Sequence, residues 1–276
     1  MNDYSANTQR IMTTSIGNAR ELGGYATADG RHVKHGLLLR TCHLAGAEEE
    51  DVRLLTDEYH VKLIVDFRSD AETARLPDPQ IGDARNVHIP VIDEKLFQNA
   101  SGTDAVAHKE QDDPRDPISG MLRIAKTQDL SGMYSMIVQS GYGQRGFERF
   151  FREVLDMPDG AVLWHCTTGK DRTGLAAAFL LSALGVDWDT ILSDFVLTNV
   201  FFADQIKATQ RELERRGVAV PLIQTVVSTF IGVNGRYLKN AWASIQASDG
   251  SVMGYLQNKL HLTDDDIAVL RDRYLE

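Results

Sequence analysis

The sequence predicts an α/β fold, a central and mostly parallel sheet flanked by helices with a helical C-terminal part. Four short aliphatic or β-branched runs, "GLLLR" (36–40), "VKLIVDF" (61–67), "RNVHIPV" (85–91) and "AVLWHC" (161–166), read as buried strands, and helical patterns separate or follow them. Strands alternating with helices bury both faces of a parallel sheet. There is no repeat at a period of 20 to 50 residues and no Pro-rich or Gly/Ser-rich linker, so residues 1–276 are expected to form a single domain. Residues 1–15 are expected to be a mobile N-terminus.

Taken in order, the polar stretch at 93–120, rich in turn formers, is expected to be an irregular loop, disordered or a mobile flap near a site. "LAAAFLLSALG" (175–185) is apolar nearly all round and stops at a glycine, as a helix packed on a sheet does. From Phe201 to Arg216 one helix is expected, with Phe202, Ile206 and Leu213 on one stripe and charges elsewhere, which reads as an amphipathic surface helix facing the core. The final segment suggests two short helices, the second capped by Thr263 with acidic residues in its first turn.

Composition narrows the function classes. The chain of 276 residues is 43% apolar, enough for a packed core, and carries a net charge of −10. No basic surface advertises nucleic acid or an anionic membrane, so an anionic ligand must be captured locally. Two cysteines, Cys42 and Cys166, are too few for a disulfide framework or a cysteine-rich zinc site. Without a signal-peptide pattern or a long apolar run, the expectation is a soluble cytoplasmic protein with no membrane insertion.

The chemistry concentrates in "LWHCTTGKDRTGL" (163–175). Alternation along the strand puts Val162, Trp164 and Cys166 on one face and Leu163 and His165 on the other, with Cys166 at the carboxyl end, where open α/β sheets bind ligands. From Thr167 to Arg172 the chain turns into the helix, and its backbone N–H groups can converge into an anion nest at the positive end of the helix dipole. Thr167, Thr168, Gly169, Lys170, Asp171, Arg172 and Thr173 are thus the expected phosphate cradle. The same field favours the thiolate of Cys166. Arg172 carries a planar fork able to hold two phosphoryl oxygens in the ground state and as charge spreads during transfer. Thr173 is placed to hydrogen-bond the cysteine sulfur.

"HCTTGKDRTG" resembles the HC-x5-R signature of the protein tyrosine phosphatases, and C-x-x-G-K-D-R-T-G is similar to a bacterial branch that includes the mycobacterial secreted phosphatase B and the Listeria lipid-active phosphatase. "NARELGGY" (18–25), "LLRTCHL" (38–44), "VDFRSDAE" (65–72) and "YLKNAWASI…GSVMGYL" (237–256) agree with it, from about residue 15 to the end. The resemblance implies a cysteine-phosphatase-like fold and metal-independent, two-step hydrolysis of phosphate monoesters through a phosphocysteine, without cofactor. It implies a phosphotyrosine-containing protein, or a small phosphate ester or phosphoinositide, as partner, with phosphotyrosine favoured and side activity on phosphoserine, phosphothreonine or phosphoinositides, and inorganic phosphate or vanadate as ligands. It also implies a helical lid near 201–216, and Arg40 as a basic position near the pocket. For the proton delivered to the leaving oxygen, Asp171 is the candidate the GKDR pattern suggests. Asp93, after "RNVHIPV", takes the place of the mobile-loop aspartate of ordinary tyrosine phosphatases.

The remaining residues carry plainer expectations. His165 is expected to prop the loop rather than act as acid or base, and Cys42 to be an ordinary buried thiol. Asp66, Arg68 and Glu72 are expected to form a structural ion-pair network, with Asp66 supporting the site. Lys170 is expected to contact the ligand. A nucleotide-binding P-loop fails because Trp164 and Asp171 stand where glycine and Ser/Thr are required. A cysteine protease needs an imidazole beside the thiolate, and His165 is on the wrong strand face. A rhodanese-like sulfurtransferase and a phosphate-binding pseudophosphatase are the alternatives to a phosphatase.

Overall fold

The computed structural model describes residues 9–93, 116–127 and 132–276. Its sheet has five strands, β1 (Arg20–Glu21), β2 (Leu38–Thr41), β3 (Val61–Asp66), β4 (Arg85–His88) and β5 (Ala161–His165), in the order β1-β2-β5-β3-β4. All neighbours are parallel except β1, which runs antiparallel to β2 along the edge. The four sequence-predicted strands are therefore the parallel ones. The two-residue β1 is too short to leave a hydrophobic pattern.

Residue periodicity decides what each sheet face buries. Leu38, Val65, Val87, Val162 and Trp164 belong to the main core, while Leu39, Ile64, Ala161 and Leu163 belong to a second cluster on the opposite face. Val61 and Leu63 share a parity yet lie in different clusters, because the β3–β5 register shifts between them. The second cluster is closed by α1 (Glu49–Arg53) and the π-helical turn that continues it over Leu54–Glu58.

On the main face lie α4 (Met133–Gln139), α5 (Gly141–Leu155), α6 (Asp171–Leu184), α7 (Trp188–Phe201), α10 (Gly235–Asp249), α11 (Val252–Asn258) and α12 (Asp264–Tyr274). The apolar run at 175–185 is α6, buried along nearly its whole length and ended at Gly185. Thr263 caps α12 through a capping box with Asp266, as the sequence pattern predicts. Aromatic rings close this core: Phe150 meets Trp164 edge-on at 5.6 Å, and Phe179 stacks on Trp242 and Tyr255.

A smaller unit stands apart. α3 (Pro117–Thr127), α8 (Ala203–Arg215), α9 (Val220–Val226) and the π-helical turn Val227–Ile231 share a satellite cluster in which, among the described residues, only Leu213, Ile223, Val226 and Val227 are buried. Three expectations need correction here. The stretch 93–120 is not irregular throughout, since α3 starts at Pro117, where a proline suits the first turn; residues 94–115 lie outside the described residues. The single helix expected over 201–216 is broken at Phe202, which leaves helical geometry and divides α7 from α8. The stripe that includes Ile206 and Leu213 faces the satellite cluster rather than the main core.

The expected mobile N-terminus 1–15 is packed from Gln9 onward. Gln9 is buried with hydrogen bonds to Gly23 and Tyr25, and Asp51 accepts from the amides of Thr14 and Ser15. Residues 1–8 lie outside the described residues. No helix among the described residues is long and apolar enough to cross a membrane.

Candidate active site

Cys166 follows β5 directly and is 1% exposed, at the carboxyl edge of the main core. The chain then turns through Thr167–Lys170 into α6, whose first residue is Asp171. Gly169 makes the turn possible: its φ is +64°, and a Cβ there would sit 2.2 Å from the carbonyl oxygen of Thr41. Gly174 lets Arg40 and Phe195 approach the first turn of α6, where a Cβ would lie 3.4 Å and 3.0 Å from them.

The loop's outer surface is held by side chains. Asn18 donates through Nδ2 to the carbonyls of Thr168 (3.1 Å) and Gly169 (2.9 Å), and Arg40 donates through Nη2 to Gly169 O (3.0 Å). A trans peptide sends the N–H opposite its C=O. Turning those carbonyls outward therefore turns the amides of Gly169 and Lys170 inward, toward the start of α6 and its positive dipole end. Those tertiary contacts fix the orientation of two backbone N–H groups in the turn.

These clamps rest on a buried ion network. Asp194, from α7, takes Arg20 Nε at 3.0 Å and Arg40 Nη1 at 2.6 Å, and Tyr25 donates to it at 3.2 Å. Arg20 also reaches Asn18 Oδ1 at 2.5 Å, which fixes the clamping amide in a left-handed backbone position at φ 51°. Burial, with Arg20 beside it, lowers the Arg40 guanidinium to about 10 against the pull of Asp194. Arg40 is thus a second layer behind the loop.

Arg172 lies in the first turn of α6, with its guanidinium against Glu72 of α2 (Asp70–Arg75). Nη1 donates to Oε2 at 2.6 Å and Nη2 to Oε1 at 2.9 Å, and the two nitrogens also reach Phe67 O and Thr167 Oγ1, each at 3.3 Å. The Nε edge is the one not engaged by a described residue. Glu72 is itself fixed by a capping box with Ser69 and accepts from Thr167. Burial pushes its carboxyl up, but the hydrogen bonds and charge of Arg172 override this and hold it at about 2. Arg172 is raised further above its ordinary value, since Glu72 and Cys166 outweigh the burial of its charge.

Beneath the loop, Asp66, Arg68, Asp78 and His165 form one cluster. Arg68 Nη2 lies 2.7 Å from Asp66 and 2.5 Å from Asp78, and His165 Nε2 lies 3.2 Å from Asp78 with Nδ1 3.7 Å from Asp66. Asp66, Asp78 and His165 have the donor types of a metal site. The Arg68 guanidinium already occupies both carboxylates with hydrogen-bonded ion pairs, so the cluster reads as an ion-pair network that anchors β5. His165 is fully buried on the face opposite Cys166, which suits a prop.

The other predicted residues fall as follows. Asp171 accepts from Tyr134 Oη at 2.5 Å. Lys170 is buried, its ammonium on the carbonyls of Thr229 (2.6 Å) and Gly232 (3.1 Å) rather than over the cradle. Thr173 does not bond the sulfur as expected; its hydroxyl has no partner among the described residues, and its carbonyl accepts from Trp164 Nε1. Asp93 is half-buried at the last described position before 94–115. Cys42 packs with the second cluster, where burial pushes its thiol up to about 11.

Sequence reasoning missed Asn18, Tyr134 and Asp194, and gave Glu72 only a place in a structural network. The S-x-x-E spacing of Ser69 and Glu72 was a legible capping box; nothing local tied it to Arg172.

The chain is similar to several known proteins. A Cupriavidus necator protein with a provisional tyrosine-protein phosphatase name is 32% identical over 264 residues, 95% of this chain and 86% of its own length. The triple specificity protein phosphatase PtpB of Mycobacterium tuberculosis is 27% identical over 258 residues, 87% of this chain and 90% of that protein. Among solved structures, P. aeruginosa TpbA is 20% identical and covers 75% of this chain and 98% of its own, with a TM-score of 0.31. The tyrosine phosphatase family matches residues 11–276, a span that holds the cysteine, the arginine and every side chain found clamping the loop between them, and the chain belongs to that family.

Proposed function

We propose that this protein hydrolyses phosphotyrosine through a phosphocysteine on Cys166, with broader activity on phosphoserine, phosphothreonine or phosphoinositides. The observation that carries the reading is the outward clamping of the Thr168 and Gly169 carbonyls, which leaves an amide-lined cradle between Cys166 and Arg172. The Cys166 thiolate attacks phosphorus, an S–P bond forms, and the P–O bond to the leaving group breaks. Asp171, the first residue of α6, gives its proton to the departing oxygen; Asp93 is the alternative donor. Water then attacks phosphorus and gives a proton back to the aspartate carboxylate, the S–P bond breaks with sulfur leaving as thiolate, and inorganic phosphate departs. Arg172 meets the equatorial oxygens with its Nε edge and with Nη2, which exchanges Thr167 for a phosphoryl oxygen, while Glu72 keeps the fork in plane.

The test is a comparison of kcat/KM across phosphotyrosine peptide, phosphoserine peptide, phosphoinositide and an aryl phosphate, with chelator and with vanadate. Cys166→Ser should lose turnover by orders of magnitude while still binding phosphate, since a serine hydroxyl is a poor nucleophile in an intact cradle. Arg172→Lys should lose both rate and affinity, because an ammonium cannot reproduce the planar grip. Turnover that survives Cys166→Ser, or an Arg172→Lys effect confined to KM, refutes this mechanism.

A further inference from the structure

An ammonium has three N–H donors. In Lys170, two of them go to the carbonyls of Thr229 and Gly232, and Asp171 Oδ2 lies 3.7 Å from the same nitrogen. The residue is 4% exposed. Thr229 lies in the π-helical turn that follows α9 and Gly232 caps that turn, where carbonyls have lost their helical donors and a cation is favoured. Asn199 grips the next residue from the other side, accepting from Val233 N (2.8 Å) and donating to Val233 O (3.1 Å).

A second route joins the same segment to the loop. Thr229 Oγ1 lies 3.4 Å from the Tyr237 hydroxyl, the Tyr237 ring packs on Tyr134 at 5.9 Å, and Tyr134 donates to Asp171 Oδ1. Tyr134 is fully buried, and burial, with Asp171 beside it, keeps its hydroxyl protonated as a donor far above the ordinary tyrosine range. Residues 170 and 171 are thus each tied to the 229–232 segment, one directly and one through two tyrosines.

We propose that Lys170 is a positioning residue: it docks the 229–232 carbonyls on the phosphate loop and, with Tyr134, holds the Asp171 carboxyl where it meets the leaving oxygen. This rests on Asp171 as the proton donor. Removing the ammonium strands two carbonyls and loosens Asp171, but takes no ligand from the phosphoryl group. The damage therefore falls on leaving-group protonation and not on phosphate affinity.

Lys170→Met and Tyr134→Phe are compared with Asp171→Asn on phosphotyrosine and on p-nitrophenyl phosphate, whose leaving group barely needs a proton. Both positioning variants should lose at least about tenfold more on phosphotyrosine than on p-nitrophenyl phosphate. Inhibition by inorganic phosphate should change less than about threefold, and Lys170→Met should speed hydrogen exchange at amides 227–233. Equal loss on both substrates, with phosphate inhibition weakened about tenfold or more, makes Lys170 a phosphate ligand and overturns the proposal. So does unaccelerated exchange. If Asp171→Asn itself lacks leaving-group dependence, the proton-donor reading fails, and exchange alone then decides whether Lys170 docks the segment. Tyr134→Phe keeps the positioning claim testable should Lys170→Met fold poorly.

Discussion

The two helical regions that meet the turn at residues 167–170 are held by different physics. On the sheet side, α6 and α7 sit in a continuous apolar core and add the buried network of Arg20, Arg40 and Asp194, which reaches the loop through Asn18 and Arg40. On the other side, α3, α8 and α9 share a cluster with four buried residues and reach the loop through the ammonium of Lys170. The loop is thus held by the main core through Asn18 and Arg40 and, through Lys170, by a unit with few buried residues among those described. Elements with few buried apolar contacts open locally at low cost. The difference teaches that the shape of the 167–170 turn belongs to the scaffold, whereas the surroundings of Asp171 depend on the weaker unit.

The strongest way to break this contrast is to remove the scaffold's buried charge. Asp194→Ala leaves Arg20 and Arg40 buried without their common carboxylate and should cost about 3–5 kcal/mol, read as a fall in denaturant midpoint at unchanged slope. A cost under about 1 kcal/mol would mean that the network is no more than a surface-like ion pair.

Next in size is a matched pair of cavities. Leu180→Ala in α6 and Leu213→Ala in α8 each remove a fully buried leucine, a change worth about 2–5 kcal/mol. Leu180→Ala should lower global stability by that amount. Leu213→Ala should instead open the satellite unit below the global transition, seen as faster hydrogen exchange in 203–231 with a nearly unmoved midpoint. Equal global losses would show that the two regions unfold as one.

The smallest effect sharpens the role of Glu72. Its carboxyl is held at about 2, below its ordinary value of ~4.3, chiefly by Arg172 against the effect of burial. A depressed folded value contributes stability that is fully present above the unfolded value and is lost as pH falls through the folded one. The destabilisation by Glu72→Gln should therefore be flat from about pH 5 to 8 and shrink between about pH 4 and 2. Denaturant titrations of both proteins across that range check it. A difference that instead grows toward acid pH would refute the ion pair.

The parallel strands, the apolar α6, the cap at Thr263 and the cysteine–arginine spacing were legible because each is a local pattern: alternation, helical period, a capping residue, five positions along one turn. The tight turn at Gly169, whose φ is +64°, was legible for the same reason. The sequence by itself determined that a thiol, a guanidinium and a run of backbone amides share one strand-to-helix turn. Tertiary structure alone decided which way those groups face. Asn18 and Arg40 meet the loop carbonyls from more than a hundred residues away in sequence, Glu72 takes both arms of Arg172, and Lys170 turns from the expected ligand to the carbonyls of 229 and 232. Hydrogen bonds and ion pairs fall off within a few ångströms and carry no periodic signature, so pairings this remote along the chain leave no trace until the fold brings them together.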